Sequence, residues 1–294
     1  MRKQTRAKFR DFFKGFFITL AVLVPLYAGV FAVQLNKRTA AAQESAADPF
    51  EKVPVSAARS YNLLFLVRDS VGDRLMTATV LRFDVTDGRV VAADVPNTAV
   101  LLESKQPRTI SEIFAGKGAL GAAAALRDTL GIPLSGYICL DTQGLAALVD
   151  ALGEFSFSLE RPLEVHDSEW LVVYSKEAGI SWFSGNDVAK LLLYGNYADA
   201  DAVRLRKQLD EAALLEYANA DFPAKISEAY EQLVNRFDTD VNVAGLYSLT
   251  LAAQAACVNG DFTVRSVQGA FADGRFEIDA SAPEELQRLF GKAA

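Results

Sequence analysis

Apolar positions along this chain fall into distinct patterns. Residues 16–33 form a near-continuous apolar run, and no charged residue occurs from Gly15 to Asn36. About 20 such residues span a bilayer. The interior Pro25 is better tolerated in a membrane than in a soluble helix. Further along, short apolar runs bounded by turn residues predict strands. Residues 61–67 read as a buried strand that ends in Arg68-Asp69-Ser70. Residues 76–85 and 89–95 flank Asp87-Gly88, a hairpin signal, and the second run stops at Pro96-Asn97. Residues 136–140, 154–165, 262–267 and 275–278 complete the predicted strands. Helical periodicity covers 109–130, 142–152 (closed by Gly153, a fitting C-terminal glycine), 187–194, 201–219, 222–237, 243–258 and 283–290. Asp187 falls where a helix N-terminus favours a carboxylate. Strands and helices alternate. The expected fold is therefore α/β, with a mixed central sheet flanked by helices on both faces and one transmembrane helix ahead of it.

The segment 201–219 departs from ordinary amphipathic patterning. At roughly 100° per residue, Asp201, Arg204, Gln208 and Glu211 share a side with Leu205, Ala212 and Leu215, while Arg206, Lys207 and Asp210 point elsewhere. Polar groups turned inward need partners. A bound anion is one partner. Helical pairing of Arg204 with Asp201 or Glu211 is the other. Spacing alone leaves both open.

Charge adds a direction. Residues 1–14 carry Arg2, Lys3, Arg6, Lys8, Arg10 and Lys14 against Asp11 alone. Lys37 and Arg38 make a weaker pair beyond the span. This asymmetry places the N-terminus in the cytoplasm and all that follows outside the cell membrane. The layout reads as a basic tail (1–15), a single-pass signal-anchor helix (16–35), a juxtamembrane tether (36–60) and an extracytoplasmic domain (61–294). Ala40-Ala41-Ala42 offers a cleaved signal peptide as the rival, but the apolar run exceeds a typical signal core. The net charge of −7 and pI near 5.0 exclude a general nucleic-acid binder. Cys139 and Cys257 read as buried free thiols; a single bridge stays open for an extracytoplasmic domain. His166 has no cysteine partner nearby and is expected on a surface loop, so no metal cluster of the zinc kind is visible.

The order of segments resembles the LytR-CpsA-Psr family of cell-envelope glycopolymer transferases. The most specific stretch is Leu130-Gly131-Ile132-Pro133, Tyr137, Asp141, Gly144, then Leu148-Val149-Asp150-Ala151-Leu152-Gly153. Asn62-Leu63-Leu64 with Asp69 is similar to the family's opening strand. Residues 90–96 are similar to its strand leading into an isoleucine-proline-arginine-aspartate motif. Asp201, Arg204 and Gln208 match its aspartate, arginine and glutamine at the same spacing.

The resemblance implies transfer of a phosphate-linked glycopolymer from a polyprenyl-pyrophosphate carrier onto peptidoglycan. Arginines would grip the pyrophosphate and carboxylates would hold Mg2+. Carried over residue by residue, it gives Asp69, Arg74 and Arg204 as catalytic residues. Asp201 and Gln208 become substrate-binding residues, Arg68 a displaced positive charge, and Asp69 the metal ligand. The chain also departs from the pattern. Asn97 and Thr98 replace the arginine and aspartate after the proline, and Met76 replaces a second carboxylate. No basic residue lies between Lys190 and Arg204. A catalytically inactive homologue that binds envelope lipid, glycopolymer or a partner transferase is therefore the alternative expectation.

Overall fold

The computed structural model describes residues 59–70, 74–166, 169–194 and 200–292. The expected tail, membrane helix and most of the tether lie outside the described residues. Among the described residues, no helix is long and apolar enough to cross a membrane. Residues Val55–Ala294 form one compact unit.

Strands β1 (Tyr61–Arg68), β2 (Leu75–Asp84) and β3 (Arg89–Val95) run as an antiparallel meander. The β2–β3 turn uses Gly88 at φ 62°, a left-handed conformation natural to glycine. A small hairpin follows, β4 (Val100–Glu103) and β5 (Gln106–Thr109). Helix α1 (Ile110–Leu130) starts with a capping box. The Thr109 side chain accepts from the Glu112 N–H, and the Glu112 carboxylate accepts from the Thr109 N–H. Gly118, at φ 65° and ψ −166°, breaks the helix inside. Strand β6 (Gly136–Asp141) lies parallel to β1 and feeds α2 (Thr142–Leu152), whose N-cap is Asp141.

Next come β7 (Phe155–Leu159), β8 (Leu163–His166), β9 (Val172–Lys176) and β10 (Gly179–Phe183); β8 pairs with β9, and β10 with β7. Helices α3 (Gly185–Tyr194), α4 (Ala200–Tyr217), α5 (Phe222–Leu233) and α6 (Val243–Ala256) follow, with β11 (Asp238–Thr239) before α6. The chain closes with β12 (Asp261–Ser266), β13 (Gly269–Ala272), β14 (Arg275–Ile278) and α7 (Ala282–Phe290).

The central sheet has the order β11-β6-β1-β2-β3-β12. It is mixed: β1/β6 and β3/β12 are parallel, the other pairs antiparallel. Side chains alternate across it. Leu64, Leu66, Ala78, Val80, Val91 and Ala93 pack on one face with α1 and α7. Leu63, Val67, Phe83, Val90 and Ile138 pack on the other face, toward α2 to α6. Helices thus cover both faces, as the alternation predicts. The two free cysteines divide between these cores, and both are buried.

The β4–β5 hairpin and the separate strands β9, β10 and β13 are additions to the sequence reading. Their burial patterns are mostly exposed or intermediate, so no strong apolar period marks them. His166 is not on a loop. It ends β8, with 31% of its side chain exposed.

Candidate functional site

Between the second face of the sheet and its helical cover lies a cavity of about 670 Å3. Close-packed interiors leave few voids larger than a water, and ligand pockets run from about 300 to 1,000 Å3. Its sheet wall is set by strand alternation: Leu63, Phe65 and Val67 on β1, Thr77, Thr79, Leu81 and Phe83 on β2, Ala92 on β3. Its roof comes from α2, α3, α4, α5 and α6, through residues such as Leu148, Leu192, Leu209, Ile226 and Leu249. The lining is overwhelmingly apolar. Filling such a space with water leaves that water short of partners, so an apolar ligand is the natural occupant.

One polar cluster interrupts this wall. The Arg206 guanidinium donates through Nη2 to Asp94 Oδ1 and to Thr79 Oγ1, each at 3.0 Å, and Thr79 Oγ1 donates to Asp94 Oδ1 at 2.7 Å. Arg206 Nε lies 3.9 Å from Asp210 Oδ2. Asp210 lines the cavity, and its Oδ2 is buried. Burial, then the neighbouring charge of Asp94 and a hydrogen bond to it, hold the Asp210 carboxyl well above the usual carboxylate range; Arg206 opposes this. Two acids sharing one guanidinium in an apolar wall favour retention of a proton.

This cluster corrects the phase of the sequence reading. Arg206, Leu209, Asp210, Ala213, Leu214 and Tyr217 of α4 line the cavity together with Leu205 of the expected stripe, whereas Leu215 of that stripe is 73% exposed. Arg204 is exposed and Gln208 half-buried, and neither lines the cavity. The Asp201 side chain lies outside the described residues. Arg206 and Asp210 were missed because the wheel alone put them away from Leu205 and Leu215. The Leu209, Ala213, Leu214, Tyr217 stripe was the available signal.

The remaining sequence candidates gather at the C-terminal end of β1, where ligands bind in open α/β sheets. Here β1 and β6 run parallel with Arg68 opposite Asp141. Asp69 follows the last residue of β1. Its N–H donates to the Arg74 carbonyl at 2.8 Å, and its Oδ2 lies 4.0 Å from Arg74 Nη2. Arg74 is the more open partner, at 63% side-chain exposure against 19%. Ser70 and Thr142 share a 2.7 Å hydroxyl hydrogen bond at the same end. The β1–β2 register jumps from Val67 opposite Thr77 to Arg68 opposite Leu75, so Met76 sits in a bulge, buried. Bulges of this kind cluster beside active sites. Thr77, one step inside, lines the cavity with a buried Oγ1 that has no protein partner. Asp69 is four residue steps along the chain from Phe65, which stands opposite Thr79. The Arg206 cluster is therefore about 13 Å further in than Asp69, at about 3.3 Å per residue.

Asn97 stands in structural use: its side-chain N–H donates to the Leu75 carbonyl, and its own carbonyl accepts from Ser111. Among the described residues, no group of three His, Cys, Asp or Glu side chains is placed to hold a metal.

Sheet and cavity together define the class: a mixed α/β domain with a large apolar chamber between the sheet and one helical layer, and charged groups at a strand end. The chain belongs to the LytR_cpsA_psr family, whose profile matches residues 30–276. Solved structures share the fold. A candidate transcription regulator from Eubacterium siraeum DSM 15702 has a TM-score of 0.69 at 13% identity, covering 79% of this chain and 91% of that one. The LytR-Csp2A-Psr enzyme from Actinomyces oris has a TM-score of 0.62 at 17% identity, covering 82% and 92%. TagT bound to LI-WTA has a TM-score of 0.58 at 11% identity, covering 82% and 92%. No curated protein matches the sequence.

Proposed function

We propose that the protein is anchored in the cell membrane by residues 16–35, with its domain outside. There it takes a polyprenyl-pyrophosphate-linked cell-wall glycopolymer and transfers it to peptidoglycan. The observation that carries this reading is the apolar cavity of about 670 Å3, whose β1 wall ends at Val67; Arg68, Asp69 and Arg74 follow along the chain but do not themselves line it. Membership of the family is consistent with work on wall glycopolymers, and one structural neighbour is TagT bound to LI-WTA. The prenyl chain would occupy the cavity. The pyrophosphate would meet Arg74 and Arg68 beside Asp69, with Arg204, Asp201 and Gln208 of α4 as further contacts. A peptidoglycan hydroxyl would then displace polyprenyl phosphate and form the new phosphodiester.

Mg2+ belongs to the same proposal. It binds through one or two carboxylates together with substrate phosphates, so the donor set is Asp69 plus the substrate's own oxygens. When bound there, it would neutralise charge developing on the phosphates. The chain's own part is simpler. The cavity excludes water from the tail, Arg74 and Arg68 supply fixed positive charge, and Asp69 holds Arg74 in place.

A second reading, binding without transfer, is favoured by Met76. This buried thioether stands in the bulge where the family pattern calls for a carboxylate. One experiment separates the two. The full chain in detergent is incubated with Mg2+, a polyprenyl-pyrophosphate-linked saccharide and peptidoglycan, and covalent product is measured. Product that disappears in Asp69→Ala and Arg74→Ala supports transfer. Lipid binding without product supports the second reading. No binding of polyprenyl phosphate refutes both.

A further inference from the structure

Both tryptophans of this chain, Trp170 and Trp182, are on the surface. Trp170 is 81% exposed and is followed by Leu171 at 60% and Val172 at 53%. Trp170 lies between β8 and β9 with φ 62°, a left-handed backbone that a bulky residue rarely adopts. Its ring leans on His166, with centroids 5.6 Å apart. On β10, Ile180 and Trp182 alternate onto one exposed face, opposite Ser158 and Ser156 of β7. The hairpin and this strand are tied at Lys176, whose Nζ donates to the Trp182 carbonyl at 2.6 Å. An exposed run of large apolar residues such as Trp170-Leu171-Val172 marks an interaction site.

The hairpin also reaches the cavity. Leu163, Val165, His166 and Trp170 all line it. A side chain that lines a cavity while 81% exposed marks an opening. The apolar wall inside therefore continues into the apolar rim outside.

We propose that this rim docks on a phospholipid bilayer, with Trp170, Leu171 and Val172 entering the interfacial layer. The Ile180–Trp182 face rests more shallowly against it, so that a prenyl chain passes from bilayer to cavity without crossing water. The proposal rests on the lipid reading above and adds the route of entry. Tryptophan suits this layer because it combines a large apolar ring with one N–H donor. The surrounding charges are Glu160, Arg161, Glu164, Glu169, Lys176 and Glu177, more acidic than basic. Attraction to anionic lipid is therefore not the driving force, and insertion of apolar side chains is. Zwitterionic lipid suffices.

The test uses the full chain reconstituted in phosphatidylcholine vesicles. In Trp182→Phe, Trp170 is the only tryptophan, and in Trp170→Phe, Trp182 is. Bromine-labelled acyl chains should remove most of the Trp170 emission and less of the Trp182 emission, with iodide in the water having little effect on Trp170. A Trp170 that iodide quenches and bromolipid does not would overturn the proposal. So would protection from both quenchers together with cross-linking between two copies, which identifies a protein contact instead. In a second arm, Leu171→Glu, on the rim but not in the cavity lining, should slow uptake of long-chain prenyl phosphate from vesicles at least about tenfold, the factor that burial of one large apolar side chain supplies. Uptake of a short-chain prenyl phosphate from detergent should be unchanged; equal slowing in both formats counts against the route. If the lipid reading itself is wrong, uptake fails in both formats even in the unaltered protein, whatever the quenching shows.

Discussion

Replacing Arg206 with methionine tests the polar cluster in the cavity wall. The guanidinium is 13% exposed and its partner Asp94 7% exposed, so neither is screened as a surface pair would be. Its removal strips Asp94 Oδ1 and Thr79 Oγ1 of 3.0 Å donors and leaves the Asp94 carboxylate without its counter-charge. Breaking one side of a buried pair costs about 3–5 kcal/mol, a large share of the roughly 5–15 kcal/mol that holds a domain together. At about 2–4 °C per kcal/mol for a domain of this size, the melting temperature should fall by about 6–20 °C. The assays are urea unfolding for the free energy and thermal unfolding for the melting temperature, both followed by circular dichroism at pH 7. Arg206→Met combined with Asp94→Asn should recover most of the loss, because the stranded charge is gone. The loss should also shrink as pH falls. Burial without a cation raises a carboxyl's folded-state pKa, so the penalty is full at neutral pH and fades toward roughly pH 4, where an ordinary carboxyl protonates in both states. A loss below about 1 kcal/mol, the range of surface ion pairs, or a double variant as weak as the sum of its parts, would refute the reasoning.

Other expectations follow from the same structure. Burial pushes the Asp84 carboxyl up, but Arg82, Ser60 and the Thr86 N–H outweigh it and hold the group below its usual range; its stabilisation is present at neutral pH and lost as pH falls below about 4 through that depressed range. Asp84→Asn should therefore flatten the acid limb of a stability–pH curve, and an unchanged limb would count against the pairing. Burial pushes the Cys257 thiol up to about 12, and Cys139 is 1% exposed, so iodoacetamide at pH 8 should label both cysteines in urea and neither in the native protein. Ala213 lines the cavity from a half-buried position on α4. Ala213→Phe should weaken prenyl phosphate binding at least about tenfold, by filling space the ligand needs, while the melting temperature holds; binding at full strength would place the ligand elsewhere.

Much of the fold was legible along the chain. The run ending at Arg68, the Asp87-Gly88 turn and the helix before Gly153 are local events, set by apolar period and turn residues within a few positions. The β1–β2–β3 meander, the helix spans and the two-faced covering of the sheet follow from them. The strand end at Asp69 was also readable, and tertiary contacts bring Arg74 back to it through the β1–β2 turn.

The face that α4 presents was not readable. Its sequence holds two mixed stripes, one through Leu205 and Leu215, the other through Leu209, Ala213, Leu214 and Tyr217. Helical spacing alone ranks them about equally. Asp94 on β3 decides: 112 residues before Arg206, it offers the buried partner that lets an arginine sit inside an apolar chamber. Strand alternation puts Asp94 on the face of Val90 and Ala92, but only the tertiary fold brings α4 opposite it. By itself the sequence determined the elements, the strand-end charges and the apolar character of the inner wall, because these depend on neighbours in the chain. The tertiary structure alone decided which helix face meets the cavity, where the cavity opens, and that Trp170 stands at that opening, because each depends on residues brought together across the sheet.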